Sequence, residues 1–268
     1  MIRTSFTWEE ILIIVKAYPN PSKNYVESSC TAGITRGGEW LRLHPLPFRL
    51  LESEKQFKKY QWIRASIKKS TDPRPESHNI DIDSIEILPE SLSTEHDWAQ
   101  RRAFLEPLRR QSMEEIRREQ DKTNISLALF RPKRIETLII GPADPSWSPE
   151  QVAALQQQQF FDNDKPVPLE KIPCDFKYRY ICDDPKCKGH EQSIVDWEIY
   201  QSYRRWRKEY GEKWEEKLRQ RYEYDMQQRN DTHFIVGTMR GYPQSWIIIG
   251  LFYPPQAEGQ QGVLFTDC

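Results

Sequence analysis

Two kinds of hydrophobic pattern occur along this chain, and together they predict its secondary structure. Short apolar runs rich in β-branched residues, some alternating with polar positions, indicate strands. Five such runs lie within the first ninety residues, at positions 10–18, 25–34, 40–44, 60–69 and 79–88. Gly37 and Gly38 lie between two of these runs and can supply the positive φ angles of a hairpin turn. The spacing predicts a small β-barrel or sandwich at the N-terminal end.

A helical period replaces the strand pattern in the middle of the chain. Across residues 97–122, Trp98, Leu105 and Ile116 share one face of a charged segment. Pro107 should kink or split this helix, because proline lacks the amide hydrogen that an interior helical residue donates. Acidic and basic residues nearly balance there, which favours a solvated helix face over a binding stripe.

Both patterns occur in the C-terminal half. Strand signals return at positions 126–130, 134–140, 175–182, 232–240 and 245–253. Aromatic and aliphatic residues recur every three or four positions across residues 192–228, which predicts a long helix divided near Gly211. Such a stripe is more typical of a core than of a ligand site. Because strands and helices are grouped and do not alternate as βαβ units, we predict an α+β fold with two small barrels of about five strands each.

These patterns divide the chain into three parts. We expect an N-terminal β unit at residues 1–92, a kinked charged helix as a connector at 93–124, and a C-terminal α+β unit at 125–268. The C-terminal unit would contain the long aromatic-striped helix.

The composition excludes several classes of protein. Aromatic residues make up 12% of the chain, which argues against disorder despite a mean hydropathy of −0.80. The longest apolar runs are far shorter than the ~20 residues that a membrane helix needs, and the N-terminus has no signal-peptide core. The five cysteines are an odd number and read most simply as reduced thiols. We therefore expect a cytoplasmic protein with no membrane partner.

One N-terminal motif is distinctive. It consists of a Cys-x-Ala-Gly turn at Cys30, Ala32 and Gly33, followed by a Trp-Leu-Arg strand that ends at Arg42. This motif, about twenty residues long, resembles the opening of proteins with a dual OB-fold domain that occur in prokaryotic conflict and defence systems. The resemblance implies OB-like barrels and a role in nucleic-acid sensing, and it implies no particular reaction.

The net charge of −1 conceals an uneven distribution. Residues 1–80 contain 13 lysines and arginines against 8 acidic residues, a local charge of +5, so the remainder carries −6. Cations interleaved with aromatic rings suit single-stranded nucleic acid, because the cations contact phosphates while the rings stack on bases. The candidate nucleic-acid-binding residues are Lys16, Arg36, Trp40, Arg42, Arg49, Trp62, Arg64, Lys68 and Arg74.

Strand alternation sharpens this prediction. If Leu41 is a core residue, then Trp40 and Arg42 face outward from their strand. If the residues flanking Arg64 are core residues, then Trp62, Arg64 and Lys68 face outward from the other strand. The alternative is that a helix or the other unit covers these faces. The segment of residues 72–77 is stiffened by two prolines and could hold Arg74 and Glu76 in a fixed geometry, although a surface ion pair is the simpler interpretation.

Cys182, Cys187 and His190 form the second candidate site, where a predicted strand turns. Thiolates and imidazole are typical zinc ligands, and a structural zinc site has four of them. Cys174 is an improbable fourth ligand, because an eight-residue strand would place it roughly 26 Å from Cys182. Asp183, Asp184, a remote residue such as Cys30, or water remain open as the fourth ligand.

Several functions remain open at this stage. Our leading interpretation is nucleic-acid or nucleotide binding, with zinc as a possible cofactor. One alternative is a metal-dependent phosphodiesterase that uses His190, Asp196 and Glu198, although two residues of separation place the two acids on different helix faces. Another alternative is a subunit that binds a protein partner through its aromatic surface. No motif for nucleophilic catalysis or phosphate-loop binding is present.

Overall fold

The computed structural model describes residues 5–22, 26–156 and 168–256. The fold is α+β, as predicted, and its strands form two seven-stranded sheets, one from each half of the chain. Among the helices of these described residues, none is both long and apolar enough to cross a membrane.

Five strands of the first sheet close into a barrel. The strands of this sheet are β1 (Thr7–Lys16), β2 (Asn20–Ser22), β3 (Val26–Thr35), β4 (Trp40–Leu46), β5 (Gln61–Lys69), β6 (Ser77–Ile80) and β7 (Glu86–Ser91). β1 pairs with both β3 and β5, and the ring continues through β4 and β6, which run parallel. This ring is consistent with an OB-like barrel. The predicted strand at 79–88 is interrupted, because a 3₁₀ turn at Ile82–Ser84 separates β6 from β7.

Gly33 allows β1 and β3 to approach each other closely in this barrel. A Cβ atom at this position would lie 2.4 Å from Ile11 Cγ2 and 2.7 Å from the carbonyl oxygen of Leu12. No larger residue fits without moving the backbone of β1. The glycine of the Cys-x-Ala-Gly motif is therefore required by barrel packing.

The second sheet is built from the C-terminal half. Its strands are β8 (Arg109–Arg110), β9 (Leu127–Phe130), β10 (Arg134–Pro142), β11 (Cys174–Ile181), β12 (His190–Ile194), β13 (His233–Met239) and β14 (Tyr242–Phe252). Their order across the sheet is β10–β11–β12–β14–β13–β9–β8, with β12 and β14 parallel.

Most of the helices lie in the half of the chain that forms the second sheet. They are α1 (Glu95–Leu105), α2 (Met113–Thr123), α3 (Pro149–Gln156), α4 (Trp197–Tyr210), α5 (Trp214–Arg219) and α6 (Met226–Gln228). Pro107 lies in a 3₁₀ turn between α1 and α2, so the predicted connector is two separate helices. The aromatic stripe of α4 to α6 packs into the core of the second sheet through Ile199, Tyr203, Leu218, Tyr222 and Met226.

The two sheets pack against each other through a shared apolar cluster. Leu12, Ile14 and Val15 on the outer face of β1 are fully buried together with Ile235 and Ile249 of the second sheet. Ile11 and Ile13 point into the barrel instead. This explains why the β1 run is apolar on both faces, as in a strand covered on both sides.

Candidate metal centre and the predicted binding surface

Arg42 lies in the contact between the two sheets. It projects from the outer face of β4, as the alternation predicts, but the second sheet covers it and leaves its surface 2% exposed. Its guanidinium donates to the carbonyl oxygen of Ser126 at 2.8 Å and contacts the sulfur of Cys30 at 3.1 Å. The buried Glu76 carboxylate accepts from the amide and hydroxyl of the same Ser126, at 2.8 and 2.7 Å. The expectation of an exposed Arg42 was wrong, because the other unit covers this face.

Arg74 makes a second contact between the sheets. This buried side chain donates to the carbonyl oxygen of Thr238 on β13 at 2.8 Å and to both carboxylate oxygens of Asp72. The hydrogen bonds from Arg74 hold the pKa of Asp72 well below its usual range. The proline-stiffened loop therefore does fix Arg74 and Glu76, and both side chains bind the second sheet. We name Arg42, Arg74 and Glu76 the clamp.

Trp62 is also buried, which contradicts the prediction of an exposed ring. It is 2% exposed and packs against Phe104 of α1, with ring centroids 5.6 Å apart. The Arg36 guanidinium lies 3.7 Å from the Trp62 ring centroid and binds the carboxylates of Glu10 and Glu90. Trp62 and Arg36 therefore contact each other and neighbouring parts of this chain.

Three other predicted binding residues, Arg49, Trp40 and Lys16, contact neighbouring side chains or backbone groups of this chain. Arg49 pairs with Glu27 at 3.1 Å, and Trp40 is half-buried against the shared cluster. Lys16 lies over the Phe48 ring, and its Nζ donates to the carbonyl oxygen of Phe57 at 3.3 Å. Burial, and next the nearby Lys59 ammonium, lowers the pKa of Lys16 to about 8.

Arg64 and Lys68 remain accessible on β5. Arg64 lies 4.8 Å from the Trp8 ring centroid, and the Lys68 ammonium lies 4.9 Å from that of Phe6. Phe6 and Trp8 are 47% and 50% exposed. Neither ring was among the predicted binding residues, although Trp8 follows the alternation of β1. We name Phe6, Trp8, Arg64 and Lys68 the aromatic strip.

The second candidate site is assembled as predicted and gains a fourth residue. Donor atoms of Cys182, Cys187, His190 and Glu114 all lie within 4.8 Å of one another. Within the described ranges, this is the one group of three or more such residues close enough to share an ion. We name these four residues the metal centre.

Local backbone geometry places the two sulfurs of the metal centre. Cys182 and Cys187 flank the turn between β11 and β12, and the Cys187 sulfur accepts from the amides of Cys182 and Gly189 at 3.2 and 3.4 Å. Gly189 has a φ of 89°, a conformation that favours glycine. The Cys182 sulfur accepts from the amide of Met113 at 3.4 Å, and burial raises the pKa of this thiol well above its usual range. A bound cation would offset that penalty, since metal ligation favours the thiolate.

Glu114 completes the metal centre from the first turn of α2. Its Oε1 lies 2.8 Å from Nε2 of His190, which begins β12 and stacks on Tyr180. Its other carboxylate oxygen is buried without a hydrogen-bond partner. No local sequence pattern could identify Glu114, because it precedes Cys182 by almost seventy positions and is joined to it only by the fold.

The other proposed fourth ligands have different partners. Asp184 accepts from the amide of Lys186, Asp183 pairs with Lys133, and Cys30 contacts Arg42. Cys174 lies at the opposite end of β11 from Cys182, opposite Pro142, as the strand-length argument required. Two thiols, one imidazole and one carboxylate form a set that fits a tetrahedral zinc ion.

The structure does not bring Asp196 and Glu198 to His190. Asp196 is fully buried and accepts from the amides of Glu198 and Leu251, both at 2.8 Å. The Lys59 ammonium lies 3.2 Å from both carboxylates. Asp196 caps α4, and both acids bind Lys59 of the first unit, so the three-residue nuclease site is wrong in its geometry.

Two known families match this chain, and the boundary between the two matches lies close to the boundary between the two sheets. Residues 109–268 match the model of a domain of unknown function, DUF8757. The chain belongs to the DUF8757 family. The DUF8757 region contains all four residues of the metal centre. Residues 7–107 match a second domain of unknown function, DUF8758, which contains the clamp and every residue of the aromatic strip except Phe6. No curated protein matches the sequence significantly.

Proposed function

We propose that this protein binds single-stranded nucleic acid or nucleotides on OB-like barrels, one of which is stabilised by zinc. The observation that carries the proposal is the exposed aromatic strip on a closed five-stranded barrel. OB-fold surfaces bind single strands through rings that stack on bases and cations that contact phosphates. The strip offers both groups side by side, with the cations on β5 and the rings at and just before the start of β1.

The connectivity of the second sheet supports a second OB-like barrel. β10, β11, β12, β14 and β13 follow one another across the sheet in the same order as the strands of the first ring, and β12 and β14 are its parallel pair. β13 then pairs with β9, which is joined to β10 by only three residues. Pro132 lies in this joint and cannot donate to a sheet ladder. We infer that β9 and β10 act as one interrupted first strand, which closes the second ring.

A pair of barrels agrees with the resemblance of the N-terminal motif to dual OB-fold proteins of prokaryotic defence systems. A sensing component of such a system would bind a nucleic acid or nucleotide, and the resulting conformational change would be transmitted to a protein partner. The two barrels share a buried cluster and the clamp, so a change in one barrel has a direct physical route to the other.

Binding of a 5′-hydroxyl oligonucleotide tests the proposed function. We expect fluorescence anisotropy to detect binding of single-stranded DNA or RNA, and Trp8→Ala to weaken it by about 1–3 kcal/mol, the contribution of stacking one base. Tyr224→Ala is the matched control, because Tyr224 is equally exposed on the helical side of the second unit. Equal affinity of both variants and the unaltered protein would exclude the strip as the binding surface.

Metal analysis tests the zinc assignment. Protein purified without a histidine tag should contain about one zinc per chain, and Cys187→Ser should lose the ion and lower Tm. Cys174→Ser is the matched control, since this half-buried thiol lies outside the metal centre. Glu114→Gln should weaken zinc binding, whereas Glu115→Gln on the same helix turn should retain it. Zinc retained by both Cys187→Ser and Glu114→Gln would refute the assignment.

A further inference from the structure

A cleft with an excess of positive charge opens beside the metal centre. Its volume is about 560 Å³, within the range of small-molecule sites. Glu114 and His190 form part of its wall, Gln244 and Ser245 of β14 another part, and Arg117, Lys186 and Lys188 surround it. The two lysines flank Cys187 in the metal-centre turn, and Arg117 lies one helical turn beyond Glu114 on α2.

The three cations of this cleft have no carboxylate partner within the described part of the chain. Twenty-seven ion pairs occur there, and none includes Arg117, Lys186 or Lys188. Their neighbour Arg118 does have one, because it faces Asp184 at 3.5 Å. Unpaired cations that line one cleft repel each other, and a bound anion would remove that repulsion.

The two acids that line the cleft are also engaged elsewhere. Glu191 binds Lys177 at 3.1 Å and Arg179 at 3.2 Å. Glu114 faces His190 in the metal centre. Neither carboxylate forms an ion pair with the three cations, which outnumber the two acids in the lining of the cleft.

We propose that this cleft binds a terminal phosphate, the phosphomonoester of a nucleotide or of a 5′-phosphorylated strand. A phosphomonoester carries up to two negative charges and three terminal oxygens, which suits one guanidinium and two ammonium groups. Gln244 and Ser245 add neutral hydrogen-bond donors at the rim. The site lies on the second unit, whereas the aromatic strip lies on the first. This inference concerns the ligand class of the proposed function, but it does not depend on the strip.

Titration with 5′-AMP, with adenosine as the comparison, tests the proposal. We expect 5′-AMP to bind and adenosine to bind at least about tenfold more weakly, and Lys186→Gln/Lys188→Gln to remove most of that difference. The matched control Lys122→Gln/Lys208→Gln removes the same charge from exposed positions outside the cleft. Arg117→Gln removes the third cation, which lies on α2, and leaves the cysteine turn intact. Zinc content and Tm of each variant show whether the fold persists.

The outcomes separate this inference from the proposed function. A 5′-phosphorylated oligonucleotide that binds more tightly than its 5′-hydroxyl form, while 5′-AMP does not bind, would place the phosphate on a strand end. Binding of 5′-AMP with no binding of the 5′-hydroxyl oligonucleotide would support the cleft and refute the strip. Equal affinity for 5′-AMP and adenosine together with no 5′-phosphate preference, or full affinity in Lys186→Gln/Lys188→Gln and Arg117→Gln, would overturn the proposal.

Discussion

The clamp and the cleft use the same kinds of side chain in opposite ways. Arg42 and Arg74 lie on the barrel with the surplus of positive charge, yet both are buried and donate to groups of the second sheet. Lys186 and Lys188 belong to the half of the chain with a surplus of negative charge, yet both are exposed and unpaired within the described residues. Local net charge therefore does not locate a binding surface, because partners inside the chain decide which cations remain available.

The difference follows from where each cation meets another element. Arg42 projects from a barrel face that the second sheet covers, and Arg74 and Glu76 reach across from the loop before β6. A buried guanidinium must find hydrogen-bond acceptors there. The cleft lysines lie in a turn whose geometry is set by Cys187 and Gly189. Residues of the metal centre shape this turn, and its two lysines have no ion-pair partner in the described part of the chain.

Removing the Arg42 guanidinium should have the largest effect on stability. Arg42→Met keeps most of the side-chain volume but removes the charged hydrogen bond to the Ser126 carbonyl, which then keeps only the amide of Thr238 as a donor. We expect this to cost about 2–3 kcal/mol in the free energy of unfolding. Urea unfolding followed by tryptophan fluorescence measures this. Arg64→Met is the control, because the exposed Arg64–Glu86 pair at 3.7 Å should contribute less than about 1 kcal/mol. Similar losses in both variants would contradict the distinction between clamp and surface.

Alternation along β4 correctly placed Arg42 on the outer face of the barrel. It could not indicate what covers that face, because the covering strands come from the other half of the chain. The same limit applies to Trp62, whose ring is buried by α1. The Cys182–His190 turn was recognisable because its ligands are close in sequence, whereas Glu114 needed the docking of α2. Local patterns predict strands and turns, and contacts between distant segments decide exposure and complete the site.

Replacing Lys16 should have a smaller effect on the free energy of unfolding than replacing Arg42, and it should stabilise the protein. Its folded pKa of about 8 lies below the ordinary value of 10.5, so the unfolded state binds more protons between these values and stability rises with pH across this window. Below pH 8 the cost of the buried charge is fully present. Lys16→Met should therefore stabilise the protein at pH 7 by about 1–2 kcal/mol, with a gain that shrinks above pH 8. The groups around Lys16 are Lys59, Asp196 and Glu198.

Thermal unfolding of Lys16→Met at pH 7 and pH 10 measures this effect. Lys58→Met is the matched control, because Lys58 is exposed and should show no pH-dependent gain. A loss of stability in Lys16→Met at both pH values would mean that the ammonium is held by favourable contacts, as in the clamp.

Replacing the cleft lysines should have the smallest effect on stability. This prediction therefore tests most directly the difference between the clamp and the cleft. Lys186→Gln/Lys188→Gln removes two cations that pair with no carboxylate among the described residues. The free energy of unfolding should therefore change by no more than about 0.5 kcal/mol, or rise slightly as repulsion is relieved. Chemical denaturation measures this against Lys122→Gln/Lys208→Gln. If the cleft variant lost as much stability as Arg42→Met, its lysines would hold the fold together. Unchanged stability with lost 5′-AMP binding would instead assign these cations to the ligand.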